Sequence, residues 1–240
     1  MAIALSLGLI LFMLVGNEIL CRKKSIEPET GRKTIHILVG SFIAFWPLYM
    51  GWESIRILSL ALLAGVAISY QFGVFGAIHN VKRRTSGELW YPIGIGLTAL
   101  ATNEPWVFAV AVLHLSLADG MAAIMGKKYG VMHYKIGEHT RSIVGSFAFL
   151  TVSFALCMIA FIVLSNKELP GVSLAVFAVT PFLATAIESI SRYGLDNLFV
   201  PLVVVLALGA PTGTLTFGLY QNPNTFGSTG SHSSSILSKT

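Results

Sequence analysis

Asp119 is the one acidic residue in the largely apolar run from Trp106 to Met125. A carboxylate in such surroundings is costly without a partner. Its neighbours at i+3, i+4, i+7 and i+11 are Ala122, Ala123, Gly126 and Gly130, all small. On a helix these share a face and leave a groove beside the carboxylate, where a ligand or a second helix can come close. Lys127, Lys128, Lys135 and Arg141 follow. A hard divalent cation such as Mg2+ takes carboxylate oxygen and often bridges to substrate phosphates, so the pattern suits a metal-bound polyphosphate. Two other readings stay open. Gly126-x-x-x-Gly130 has the small-xxx-small spacing of packed helices, and Asp119 can be the structural partner of a buried His or Arg.

A second basic group, Arg32, Lys33 and His36, sits in "GRKTIHILVG" at the start of another apolar run. Arg32 and His36 share a helical face, with Lys33 one turn from His36. Helix N-termini favour anions, so these cations can frame a phosphate site. The alternative is topological anchoring with a snorkelling His. His114 lies five residues before Asp119, about 140° around a helix, and reads as a packed or hydrogen-bonded core residue. His79, His133 and His139 have no metal-ligand spacing. There is no GxxxxGK[ST], no GxGxxG after a strand, no HExxH and no GxSxG. The chain is therefore not a P-loop protein, it has no dinucleotide fingerprint, and the absences argue against a zincin or an α/β-hydrolase.

The elements that must position these groups are apolar helices. Hydrophobic residues make up 54% of the 240, charged residues 11%, and mean hydropathy is +0.74. A soluble domain carries about a quarter charged residues, so the composition reads as an all-α, polytopic transmembrane bundle. Eight spans are expected, near 2–20, 34–50, 55–78, 89–102, 105–125, 143–164, 171–190 and 198–218. The fourth is short and interrupted by Pro92, Gly94 and Gly96. Alternate loops hold thirteen of the sixteen Lys and Arg. The positive-inside rule puts those loops in the cytoplasm and both termini outside. The basic pI near 9.3 then reflects topology rather than nucleic-acid binding. Cys21 and Cys157 match no disulfide framework. Residues 1–221 read as one transmembrane catalytic domain, and 222–240, rich in Ser, Gly and Thr, as a disordered tail. Acidic groups gather on the basic side: Glu88, Asp119, Glu138, Glu188 and Asp196, the last beside Asn197.

Five elements in order resemble the membrane-embedded polyprenol kinase family, which includes dolichol kinase, phytol kinase and CTP-dependent diacylglycerol kinase and is similar to the phosphatidate cytidylyltransferases. They are "GRKTIHI", "SGELWYPIG", "ADGMAAIMGKKYG", "TRSIVGS" and "ESISRYGLDNLFVPL". In the fourth, Arg141 stands where Lys is usual and Val144 where Glu is usual. Without that Glu, Glu138 or Glu188 would have to replace it.

The resemblance implies Mg2+-dependent transfer of the γ-phosphoryl group of a nucleoside triphosphate, usually CTP, to a lipid alcohol. It implies Asp119 as the principal metal ligand, with Glu188 or Asp196 supporting it. It implies Lys135 and Arg141 on the phosphates, and Arg32, Lys33 and His36 in the same pocket. Asn197 would orient the nucleotide or the lipid hydroxyl, and Gly126, Gly130, Ser142 and Gly145 would lie against the nucleotide. The partners implied are the lipid alcohol, the nucleotide and membrane lipids, with no nucleic acid. The site would face the cytoplasm of a multi-pass membrane protein, in the plasma membrane of a prokaryotic host. A CDP-lipid synthase of the cytidylyltransferase type is the alternative, and a transporter or lipid-binding scaffold a further one.

Overall fold

The computed structural model describes residues 1–72, 86–136, 139–169 and 171–216. Glu138, His79, the basic cluster at 82–84 and the tail expected over 222–240 lie outside them, as do the ends of the third and eighth expected spans.

The described chain is mostly helical. In order it forms α1 (Ala2–Arg22), α2 (Pro28–Ala44), a 3-10 turn (Trp46–Leu48), α3 (Trp52–Phe72), α4 (Gly87–Ala101), α5 (Pro105–Leu113), a π turn (His114–Ala118) and α6 (Asp119–Tyr129). An antiparallel hairpin follows, β1 (His133–Ile136) and β2 (His139–Ser142), then α7 (Ile143–Ser165), α8 (Leu174–Ile190) and α9 (Asp196–Gly209). Each of the eight expected stretches thus holds a helix. Among the described residues, four helical segments are long and apolar enough to cross a membrane: α1, α3, Pro105–Tyr129 as one continuous segment, and α7.

Local sequence explains several boundaries. Pro28 opens α2 at a position where its missing N–H costs nothing, so the helix begins six residues before the expected 34. Arg32 and Lys33 therefore lie inside its first two turns. Ser142 caps α7, its Oγ accepting from the Gly145 N–H at 3.0 Å. The fourth stretch is not broken. Pro92 sits inside a continuous α4, and its glycines allow close packing. A Cβ on Gly94 would lie 2.2 Å from the Asn197 carbonyl oxygen, and one on Gly96 would lie 3.3 Å from Ser59 Cβ. The interruption read from the sequence is where α9 and α3 press against α4.

The Pro105–Tyr129 segment is the axis of the bundle. Its α5 part packs against α2, α4, α7 and α9, and α6 packs against α2 and α7. One apolar cluster joins α5 to α7, α8 and α9 around Phe149, Phe177 and Val204. The other joins it to α1, α2, α3 and α4 around Ile43, Trp46 and Ile95. The outer faces expose large apolar side chains, including Phe12, Leu60, Phe147 and Ile162, as a surface facing lipid would. Because successive helices run up and down, the first residues of α2, α4, α7 and α9 gather at one end with the hairpin. The opposite end is closed by the Lys167–Glu104 ion pair at 2.5 Å and the Thr102–Leu215 bridge.

Candidate active site

The π turn prepares the site from within the axis. His114 is fully buried; its Nδ1 bonds to the Val110 carbonyl at 2.8 Å and its Nε2 to Ser153 Oγ at 2.6 Å. It is a core residue tying α5 to α7. One residue past the turn, Asp119 opens α6. His36 Nε2 donates to the Leu115 carbonyl within the turn at 2.9 Å. Tyr91 Oη donates to the His36 carbonyl at 3.0 Å, and the two rings lie 4.2 Å apart. A carbonyl cannot donate, so His36 Nε2 carries a proton. That nitrogen lies 3.7 Å from Asp119 Oδ2, and Lys33 Nζ donates to the same oxygen at 2.6 Å.

Two more carboxylates arrive from the far part of the chain. Glu188 comes from the last turn of α8 and is 2% exposed; Asp196 opens α9. Carboxylate oxygens of Asp119, Glu188 and Asp196 lie within 4.8 Å of one another. Arg141, on β2, reaches both of the latter two. Its Nη1 pairs with Glu188, while Nη2 donates to Asp196 Oδ2 at 3.2 Å and to the Ser191 carbonyl at 3.1 Å. Asn197 Nδ2 donates to the Gly87 carbonyl at 2.9 Å, which fixes the start of α9 against the start of α4. Three converging carboxylates form the all-oxygen donor set that a hard divalent cation prefers.

These groups line a cavity of about 660 Å³ at the end of the bundle. Arg32, Lys33, His36, Asp119, Gly126, Arg141, Ser142, Gly145, Glu188, Asp196 and Asn197 all lie on its wall. Among the described residues, Arg32 Nε is buried without a hydrogen-bond partner. The N-terminus of α7 opens on the same space through Gly145 and Ser146. Lys135 and Gly130 are not on the wall. Lys135 is exposed on β1 opposite Thr140. Gly130 closes α6 against Ser142, where a Cβ would lie 2.7 Å from Ser142 Cβ. Gly126 also serves packing: its Cβ would lie 2.6 Å from Ser142 Oγ. The small-residue spacing therefore joins α6 to α7 and, at Gly126, shapes the cavity as well.

The wall includes residues that sequence reasoning did not single out for the site. Arg192 and Tyr193 come from the α8–α9 connection, and Thr140 and Ser146 flank the hairpin and α7. From the sequence, Arg192 is only one of the thirteen basic residues of the alternate loops. Nothing in its spacing shows that the connection folds back over Asp119. At the rim, Lys127 donates to Glu27 at 2.5 Å, which holds the Glu27 carboxyl below the usual carboxylate range. Val144 is not on the wall, and Glu188 is.

No protein-family model matches the chain, and no solved structure matches it. Curated relatives do. The chain is 31% identical over 192 residues to a phytol kinase of Synechocystis sp., covering 77% of this chain and 80% of that one. It is 28% identical over 195 residues to a chloroplastic farnesol kinase of Arabidopsis thaliana, covering 73% and 63%. It is 28% identical over 163 residues to a dolichol kinase of Saccharomyces cerevisiae, covering 59% of this chain and 29% of that one.

Proposed function

The chain belongs to the polyprenol kinase family, phosphotransferases that act on alcohols, and from that premise we propose that it phosphorylates a membrane isoprenoid alcohol with CTP and Mg2+. The observation that carries this reading is the meeting of three carboxylates, Asp119, Glu188 and Asp196, with Lys33, Arg141 and Arg32 in one cavity at the end of an apolar bundle. The lipid hydroxyl oxygen bonds to the γ-phosphorus and loses its proton to solvent, the bond to the β–γ bridging oxygen breaks, and the nucleoside diphosphate leaves. Such a transfer relies on positioning and charge stabilisation.

Each residue has a part in that reading. Asp119, Glu188 and Asp196 hold the metal, which neutralises phosphate charge when bound. Glu188 supplies the carboxylate that Val144 cannot. Arg32, Lys33, Arg141 and the α7 N-terminus take phosphate oxygens, and Asn197, with His36 behind Asp119, fixes the carboxylate geometry. The alcohol chain lies along the apolar flank of the bundle. Eight spans with both termini outside put the cavity on the cytoplasmic side, in the plasma membrane of a prokaryotic host.

The test uses detergent-purified protein, Mg2+, phytol, farnesol and longer polyprenols, and CTP labelled separately at the α- and γ-phosphorus. Label should reach the alcohol from the γ position alone. Label from the α position, seen only with lipid phosphates, would make the protein a CDP-lipid synthase. Transport of lipid with no label transfer would make it a carrier. Replacing CTP by ATP or UTP at equal concentration ranks the donors.

Arg32→Met tests the orphaned donor. Losing a charge-assisted hydrogen bond should raise the nucleotide KM by about tenfold or more, with the KM for the alcohol unchanged. Steady-state kinetics with each substrate varied in turn would show it. An unchanged nucleotide KM would remove Arg32 from the nucleotide site.

A further inference from the structure

The cations that the proposed phosphate site needs are already engaged. Lys33 is held on Asp119 at 2.6 Å, and Arg141 spans Glu188 and Asp196. Each occupies a carboxylate assigned above to the metal. A divalent cation entering among these oxygens competes directly with the ammonium and the guanidinium. We propose that Lys33 and Arg141 are place-holders: a divalent cation displaces them from the three carboxylates, and the displaced side chains then bind the triphosphate. This rests on the metal-dependent kinase reading and adds to it an order of assembly built into the site.

Three observations favour exchange over a fixed structural clamp. First, both cations line the open cavity beside the carboxylates, so each can turn toward a ligand without leaving it. Second, one guanidinium holds two carboxylates from two helices, and its Nη2 is shared between Asp196 at 3.2 Å and the Ser191 carbonyl at 3.1 Å. A fork can bridge two acceptors in this way, whereas an ammonium is a point charge. The Arg at 141, where the family resemblance leads one to expect Lys, is therefore suited to covering both carboxylates at once. Third, Arg32 lines the same wall, and among the described residues its Nε has no hydrogen-bond partner, so a further cation shares the cavity with the two engaged ones.

The sign of the expected effect separates the two roles. A structural clamp, once removed, lets Glu188 and Asp196 move apart and weakens metal binding. A place-holder, once removed, takes a positive charge away from the metal position and strengthens it. Mn2+ binding to the full chain in detergent, without nucleotide, can be read at pH 8 by the loss of the free-ion EPR signal. Arg141→Gln should bind Mn2+ about tenfold more tightly than the wild type. At saturating Mn2+ the same variant should bind CTP about tenfold more weakly, measured by equilibrium dialysis without alcohol. Lys33→Gln should shift both affinities in the same directions through Asp119. If Arg141→Gln is poorly stable alone, Mn2+ should raise its melting temperature by more than it raises that of the wild type.

Equal or weaker Mn2+ binding by both variants would overturn the exchange. A wild-type protein that binds no Mn2+ would remove the metal site, and the exchange with it. Tighter Mn2+ binding by the variants together with no γ-label transfer by the wild type would leave the exchange standing and sink the kinase reading.

Discussion

Asp119→Asn is expected to abolish phosphoryl transfer, by roughly 10³-fold or more, while the protein still inserts and melts as the wild type does. The substitution keeps the shape of the side chain and an oxygen to accept from Lys33 Nζ, now 2.6 Å from Oδ2. It removes the charge, and with it the carboxylate nearest the axis of the bundle among the three that converge. Lys33 lines the cavity and can turn to solvent, so its lost partner need not unfold the site. Label transfer from γ-labelled CTP, normalised to membrane-inserted protein, measures the loss. Turnover at the wild-type rate would end the assignment of Asp119 to the metal.

The second large effect is expected at a residue that touches no substrate. Gly94→Ala should destabilise the protein by about 1–3 kcal/mol and remove most of its activity. The added Cβ would lie 2.2 Å from the Asn197 carbonyl oxygen and 3.3 Å from its carbon. Both are backbone atoms, so no rotamer change relieves the clash. Either α9 moves off α4 or its first turn distorts. Asp196 is the preceding residue, and the Asn197 side chain is bonded to Gly87 on α4, so either movement shifts a carboxylate of the site. Gly65→Ala is the control. It lies inside α3 with nothing within 4 Å of its Cβ position, and it should be neutral or slightly stabilising. Thermal melts and γ-label assays on the pair would separate the two. A Gly94→Ala protein with wild-type melting and activity would show that α4 and α9 can part without disturbing Asp196.

The outcome at Gly94 illustrates how far local sequence reaches. Pro92, Gly94 and Gly96 are visible as departures from an apolar helical pattern, and a break is the local interpretation of them. The packed structure keeps the helix and uses two of those glycines for contact with α9 and α3. Lys135 and Arg141 give a similar lesson. Both are basic residues after Gly130, equally suited to phosphate by type. They sit on different strands of the hairpin, Lys135 on β1 opposite Thr140 and Arg141 on β2 opposite Tyr134; Arg141 reaches the carboxylates, while Lys135 is exposed off the cavity wall. Strand register depends on the partner strand, and a shift of one residue reverses the face.

Local sequence sets where the helices form, because apolar runs, Pro28 and the Ser142 cap act over a few residues. It also singled out Asp119, because a charge among apolar side chains stands out without any knowledge of its neighbours. Tertiary packing makes Asp119, Glu188 and Asp196 meet, has one arginine span two of them, and sets Arg192 and Tyr193 on the wall of the same cavity. Asp119, Arg141 and the stretch 188–196 lie tens of residues apart along the chain. What brings them within a few ångströms is the packing of α8 and α9 around the axial helix, a sum of many weak apolar contacts that no single spacing in the sequence records.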